Sequence, residues 1–143
     1  FKMKMSEVMH DIAIATAQKS SCARQFTKAI TSEIGHLIAL SGGQFFPERK
    51  IDLTRPTKRG PYQGRLDVFG VFPDASVIAI EVDRGDKWWS LQKLIFTATK
   101  LGAHAVWIRW SGSVNLYVPP SVTLINVTKV GQIINTKRQL NRL

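Results

Sequence analysis

Arg65-Leu66-Asp67-Val68-Phe69-Gly70-Val71-Phe72, then Pro73-Asp74-Ala75-Ser76, then Val77-Ile78-Ala79-Ile80-Glu81-Val82-Asp83, is the stretch whose reading decides the fold. Its two flanks are apolar and β-branched, and the four residues between them are turn formers. So short a connection makes the flanks neighbouring strands of an antiparallel hairpin. Each strand is interrupted within its apolar run by an acid, Asp67 in the first and Glu81 in the second, and the second strand ends on Asp83. Acids are rare in strands and costly to bury alone. The hairpin lets both carboxylates reach one end of a single sheet.

Outward from the hairpin the pattern changes period. Residues 87–101 carry Leu91, Leu94, Ile95, Ala98 and Leu101 at helical spacing, and Gly102 is a C-terminal stop. Ala103 to Trp110 is a third strand. Short strands are expected over Val114–Val118 and Thr123–Val127, separated by Pro119 and Pro120. Upstream, residues 5–40 read as helical, with one stripe of Met5, Val8, Met9, Ile12 and Ala15 and a second of Phe26, Ile30, Ile34, Leu37 and Ile38. The polar break near Ser20 either separates two helices or kinks one. Residues 44–64 read as irregular and basic, with one short strand through Phe45, Phe46, Ile51 and Leu53 and a turn at Pro56 to Gly60. The expected fold is α/β: a mixed central sheet flanked by helices, in one domain over 1–143. Its core spans about residues 26–128, and a basic tail that is helical or frayed occupies 129–143.

Composition narrows the partner. Twenty Lys and Arg face ten Asp and Glu, a formal net charge of +10. Such a field attracts polyanions, and neutralising phosphates releases counterions, so DNA or RNA is the first expectation. An anionic membrane surface is the rival, but no run of about 20 apolar residues could span a bilayer. Cys22 is the only cysteine, which excludes an internal disulfide and a Cys-pair zinc motif. A structural thiol in a helix is its expected role. The N-terminal FKMKM lacks the apolar core of a secretion signal. A cytoplasmic protein of a prokaryote or phage is expected. His10, His36 and His104 lack metal-ligand spacing, and neither a phosphate-binding loop nor a nucleophile elbow is present.

Two carboxylates at one point repel, and a divalent cation removes the conflict. Oxygen ligands with open water positions suit Mg²⁺, or Mn²⁺. The plainer alternative is that one acid faces solvent or pairs with Arg65 or Arg84. A third acid, Glu33, falls three residues after Ile30 and four before Leu37, within the apolar stripe of its helix. It would contact a metal-bound water or a catalytic lysine, or form a salt bridge at the stripe edge.

Glu33, Asp67 in GRLD and Glu81 in IEVD together resemble the PD-(D/E)XK nuclease superfamily, which is restriction-endonuclease-like. The resemblance covers roughly residues 26–110. It implies an αβββαβ core and a metal-dependent DNA endonuclease in which Asp67 and Glu81 hold Mg²⁺, with the Val82 carbonyl as a further ligand. Glu33 would hold a metal-bound water or a second metal, and the cut would usually leave a 5′-phosphate. The chain departs from the pattern at Asp83, where a lysine is expected. Some members carry that lysine on the following helix. Lys93 in SLQKL is the leading candidate, Lys87 the second and Arg84 the third. A helical wheel puts Lys93 with Trp89, Phe96 and Lys100, on a side that faces either the catalytic end of the sheet or water. Asp83 would be an extra ligand or the partner that orients Lys93.

DNA contacts are expected from the basic segment 49–65 and from the tail. The contacts named are Arg55, Lys58, Arg59 and Arg65 just upstream of Asp67, and Lys87 beyond Glu81. Tyr62 either stacks on a base or packs in its loop, Trp107 is core, and at least one of Trp88 and Trp89 is core. A homodimer is compatible with cutting two strands, although no residue marks its contact. Two other classes fit the same features: a DNA-binding module that does not cut, and a subunit of a larger nucleic-acid-processing assembly.

Overall fold

The computed structural model describes residues 2–143, with side chains from residue 5 onward. Two helices come first, α1 (Lys2–Lys19) and α2 (Ala23–Leu40). The break near Ser20 therefore separates two helices. Cys22 is the exposed residue preceding α2 and not a thiol packed inside a helix. Five strands follow: β1 (Gln44–Thr57), β2 (Gly60–Val71), β3 (Val77–Asp83), β4 (His104–Arg109) and β5 (Val122–Asn126). Helix α3 (Trp88–Leu101) links β3 to β4, and α4 (Thr128–Leu140) closes the chain.

The sheet runs β1-β2-β3-β4-β5 in sequence order. β1, β2 and β3 form an antiparallel meander, while β3–β4 and β4–β5 are parallel. A parallel neighbour needs a crossover. The crossover α3 ends at Gly102, whose φ of +62° gives the left-handed cap that side chains resist. Alternation along β3 sends Ile78, Ile80 and Val82 into a core with Met9, Ala13, Phe26, Ile30, Ile34, Ile38, Val130 and Ile134. Ala79 points the other way, into a second core with Leu91, Leu94, Leu66 and Trp107. The result is a mixed α/β fold, with α1, α2 and α4 on one face of the sheet and α3 on the other.

Several expectations change. Segment 44–64 is not irregular. It is most of a long β1–β2 ribbon turning at Lys58 and Arg59. Gly60, at φ +105°, supplies the backbone that lets this tight turn rejoin β2. No strand forms over 114–118. Asp86 Oδ2 instead accepts the Asn115 and Leu116 N–H groups at 2.7 and 3.3 Å, so side-chain bonds replace a ladder. The 129–143 segment is helical, as one of its two expected states had it, and it packs into the core instead of trailing as a tail. Most of it is α4, which buries Val130, Gly131 and Ile134. Lys137 on α4 donates to the carbonyls of Ala17, Gln18 and Ser20, capping the end of α1. On α1 the buried face is Met9, Ala13, Thr16 and Ala17, while Val8 and Ala15 are exposed.

Candidate functional site: a carboxylate pair and a buried lysine

The site begins with a fault in the ribbon. The β1–β2 pairing skips Glu48 and Asp67, between Pro47↔Val68 and Arg49↔Leu66. Glu48 has φ +52°, in the left-handed region that an ordinary side chain disfavours. Facing it, Leu66 packs into the α3 core and Val68 into the opposite core, although residues two apart should share a face. The alternation therefore slips at Asp67. Beyond that point the β2–β3 ladder also ends, its last pair being Val68↔Ile80.

Where the ladder ends, side chains take over. Asp67 Oδ2 accepts the Val82 N–H at 2.9 Å, and Glu81 Oε2 accepts the Asp67 N–H at 2.8 Å. Each acid thus satisfies a backbone donor beside the other in the fork between two diverging strands. Glu81 is 1% exposed. Its second oxygen, Oε1, is ion-paired with the ammonium of Lys93 from α3. Lys93 also donates to the Arg65 carbonyl at 2.7 Å, which ties the helix to the root of the ribbon. The three charged groups Asp67, Glu81 and Lys93 therefore meet at one end of the sheet.

Burial, and then the nearby Asp67 charge, push the Glu81 carboxyl up to about 9, against the opposing pull of Lys93. Asp83, two residues on along the same face of β3, is also raised, chiefly by burial. Its partners are the Trp107 indole N–H at 2.8 Å, the Ser90 hydroxyl, and Lys87 at 3.9 Å. Asp83 therefore does not orient Lys93, which turns to Glu81. Lys87 stays largely exposed beside Asp83, and Arg84 stacks on Trp110, its guanidinium carbon 4.9 Å from the ring centroid.

Lys93 belongs to the buried stripe of α3, with Trp89, Ser90, Leu94 and Thr97. Of the stripe expected from the sequence, Leu91 and Leu94 are buried and Ile95 and Ala98 pack against the same core, while Leu101 is exposed. Ser90 and Thr97, small polar residues one turn before and after Lys93, were the available signal. A long charged side chain needs small neighbours to lie against a sheet. Glu33 is a second correction. It is exposed on α2, outside the buried set of Phe26, Ile30, Ile34, Gly35 and Ile38.

Sequence reasoning missed a support beneath the site. Arg109, 1% exposed at the end of β4, pairs with Asp86 at 3.0 Å and lies over the Trp107 ring. It also donates to the Ser111 and Ser113 carbonyls. Through Trp107 the network reaches Asp83. Its signal was the Arg and Asp flanking apolar runs in HAVWIRW and DRGD.

The donor set suits a hard cation. Asp67 and Glu81 offer carboxylate oxygens, and their mutual repulsion is what a cation would relieve. Among the described residues, no group of three or more His, Cys, Asp and Glu side chains gathers as a metal cluster. A cation here would therefore use two carboxylates and complete its shell with water, the usual habit of Mg²⁺. A cavity of about 850 Å³ opens at the other end of the sheet, lined by Met9, Ile34, Ile38, Phe72 and His104 among others, and includes none of these charged groups.

The expected nucleic-acid contacts fall into two kinds. Lys58, Arg59 and Arg65 are exposed on the ribbon. Arg55 is committed to stacking, 5.1 Å from the Trp89 ring centroid and 5.5 Å from that of Tyr62. Trp89 and Trp107 are core, and Trp88 is exposed. No helix among the described residues is long and apolar enough to cross a membrane. No family model, curated protein or solved structure matches the chain.

Proposed function

We propose that this chain is a Mg²⁺-dependent endonuclease that hydrolyses DNA phosphodiester bonds, with Mn²⁺ able to substitute. One observation carries the reading: two carboxylates on adjacent strands and a buried lysine from the next helix converge at a single end of the sheet. The helix–three strands–helix–strand order from α2 to β4 and the +10 charge support it further.

Asp67 and Glu81 would hold the cation. When bound, a divalent ion polarises the scissile phosphate and makes nearby water more acidic. The protein's own groups then have distinct tasks. Lys93, fixed by Glu81 and the Arg65 carbonyl, offers a positive charge to the phosphate oxygens as negative charge develops. Water attacks phosphorus, the P–O bond to the leaving sugar oxygen breaks, and a proton passes to that oxygen. Asp83 stiffens the end of β3 through Trp107 and Ser90. Glu33, exposed on α2, is not assigned to this centre.

One observation favours a second reading, a DNA-binding module that does not cut. Lys93 already occupies Glu81 Oε1 without any metal. Incubating the protein with supercoiled, linear, branched and single-stranded DNA separates the two. The nuclease reading expects nicking with Mg²⁺ or Mn²⁺ and none in EDTA. Salt-sensitive binding that ignores metal, with every substrate intact, favours the module.

A further inference from the structure

The ribbon beyond the Glu48–Asp67 fault has an unusual surface. Residues 54–59 and 61–63 are exposed, so this part of the hairpin packs on nothing along most of its length. Segment 49–65 holds six basic residues and one acid, Asp52. Arg49 is occupied, lying over the Phe46 and Phe69 rings, as Arg55 is over Tyr62 and Trp89. Among the described residues, Lys50, Lys58, Arg59 and Arg65 have no side-chain hydrogen-bond or ion-pair partner. Isolated two-stranded ribbons are marginal in water. This one is stiffened by Pro56 facing Pro61 just below the turn, and by Arg55 clamped against α3. At the tip, the Thr57 hydroxyl donates to the Gly60 carbonyl at 2.5 Å. The cations are thus held out on a rigid support.

We propose that this ribbon is a duplex-DNA arm, with Lys58 and Arg59 at its tip lying in the major groove. The inference rests on DNA being the substrate, and it is measured without cutting. Dimensions favour the duplex. Paired strands lie about 4.8 Å apart, and the B-DNA major groove, about 12 Å wide, admits a two-stranded ribbon. The A-form RNA groove is too narrow and deep for it. An anionic membrane is disfavoured because the turn from Thr57 to Gly60 carries no large apolar side chain to insert, and the exposed Tyr62 below it is covered by Arg55. From Gly60 to Asp67 the strand runs at most about 23 Å, or about seven base pairs at about 3.4 Å each. The arm would grip the duplex that far from the carboxylates.

The test is fluorescence anisotropy of the full chain in EDTA with a labelled duplex of about 30 base pairs, roughly four times that span. A Lys58→Ala/Arg59→Ala protein is compared with Arg24→Ala/Lys28→Ala, which removes the same charge from exposed positions on α2. Circular dichroism melts confirm that both fold. The arm predicts that the tip variant loses about 1.8 from the salt slope, about 0.9 per lost phosphate contact, while the control changes little. It also predicts displacement by the major-groove ligand methyl green but not by netropsin, and at least about tenfold weaker binding to double-stranded RNA. Equal slopes for the two variants, displacement by netropsin, equal affinity for the RNA, or binding to anionic vesicles in preference to DNA would overturn it. Ribbon-dependent binding without cutting in Mg²⁺ would leave the arm standing and remove the nuclease reading. Metal-dependent cutting by a protein whose tip variant binds like the parent would do the reverse.

Discussion

Glu81 is the residue on which the site's electrostatics turn. Its carboxyl is raised to about 9 from an ordinary 4.5, first by burial and then by Asp67. In the metal-free protein the folded state therefore holds a proton that the unfolded chain has released. Stability from this group is full below about pH 4.5 and is lost as pH climbs towards 9. Thermal melts in EDTA should show Tm falling across that window, and Glu81→Gln should remove much of the fall. A parent Tm that climbs steadily from pH 5 to 9 would contradict the assignment. Asp67 and Glu81 were legible in the sequence because acids inside apolar strands need a reason. Lys93 was only half legible. The stripe of Leu91, Leu94, Ile95 and Ala98 does face the α3 core, but helix α3 carries apolar residues around much of its circumference, so the stripe alone does not show that Lys93 is buried beside it. Glu33 was misread for a related cause. Lying close to a stripe in sequence leaves the side of the stripe open, and the structure puts it on the solvent side.

At the scale of the element, the β1–β2 ribbon is the feature the sequence concealed. Strand patterns are visible when one face is buried, and most of this ribbon buries neither, so prolines and charges read as a loop. Its kink has a measurable cost. Glu48 sits in the left-handed region opposite Asp67. Glu48→Gly should fold and cut like the parent. Glu48→Val should lose about 1–2 kcal/mol, because a β-branched residue resists that backbone. Urea melts of the pair check this, and equal stability would mean that the kink is not imposed by the backbone. Helix α4 was likewise underestimated. Lys137 donates to three carbonyls at the end of α1. Lys137→Met should cost about 1–3 kcal/mol, since charge-assisted bonds are lost and helix-end acceptors stay unpaired. A cost near zero in the same melts would show that the cap is ornamental.

For the whole molecule, the α/β class and the order of its elements followed from periodicity and turn chemistry. The ends did not. α1 and α4 join the same core as α2, so the folding unit reaches well beyond residues 26–128. On the proposed nuclease reading the arrangement has a functional logic. Three helices cover one face, one helix delivers a lysine to the other, and two strands splay where the carboxylates sit. The most direct measurement is the rate of plasmid cleavage in Mg²⁺ by four single variants, Asp67→Asn, Glu81→Gln, Lys93→Met and Lys87→Met. The first three should each fall by about a hundredfold or more, and Lys87→Met should stay near the parent. Parental rates from Asp67→Asn and Glu81→Gln would contradict the account at its centre.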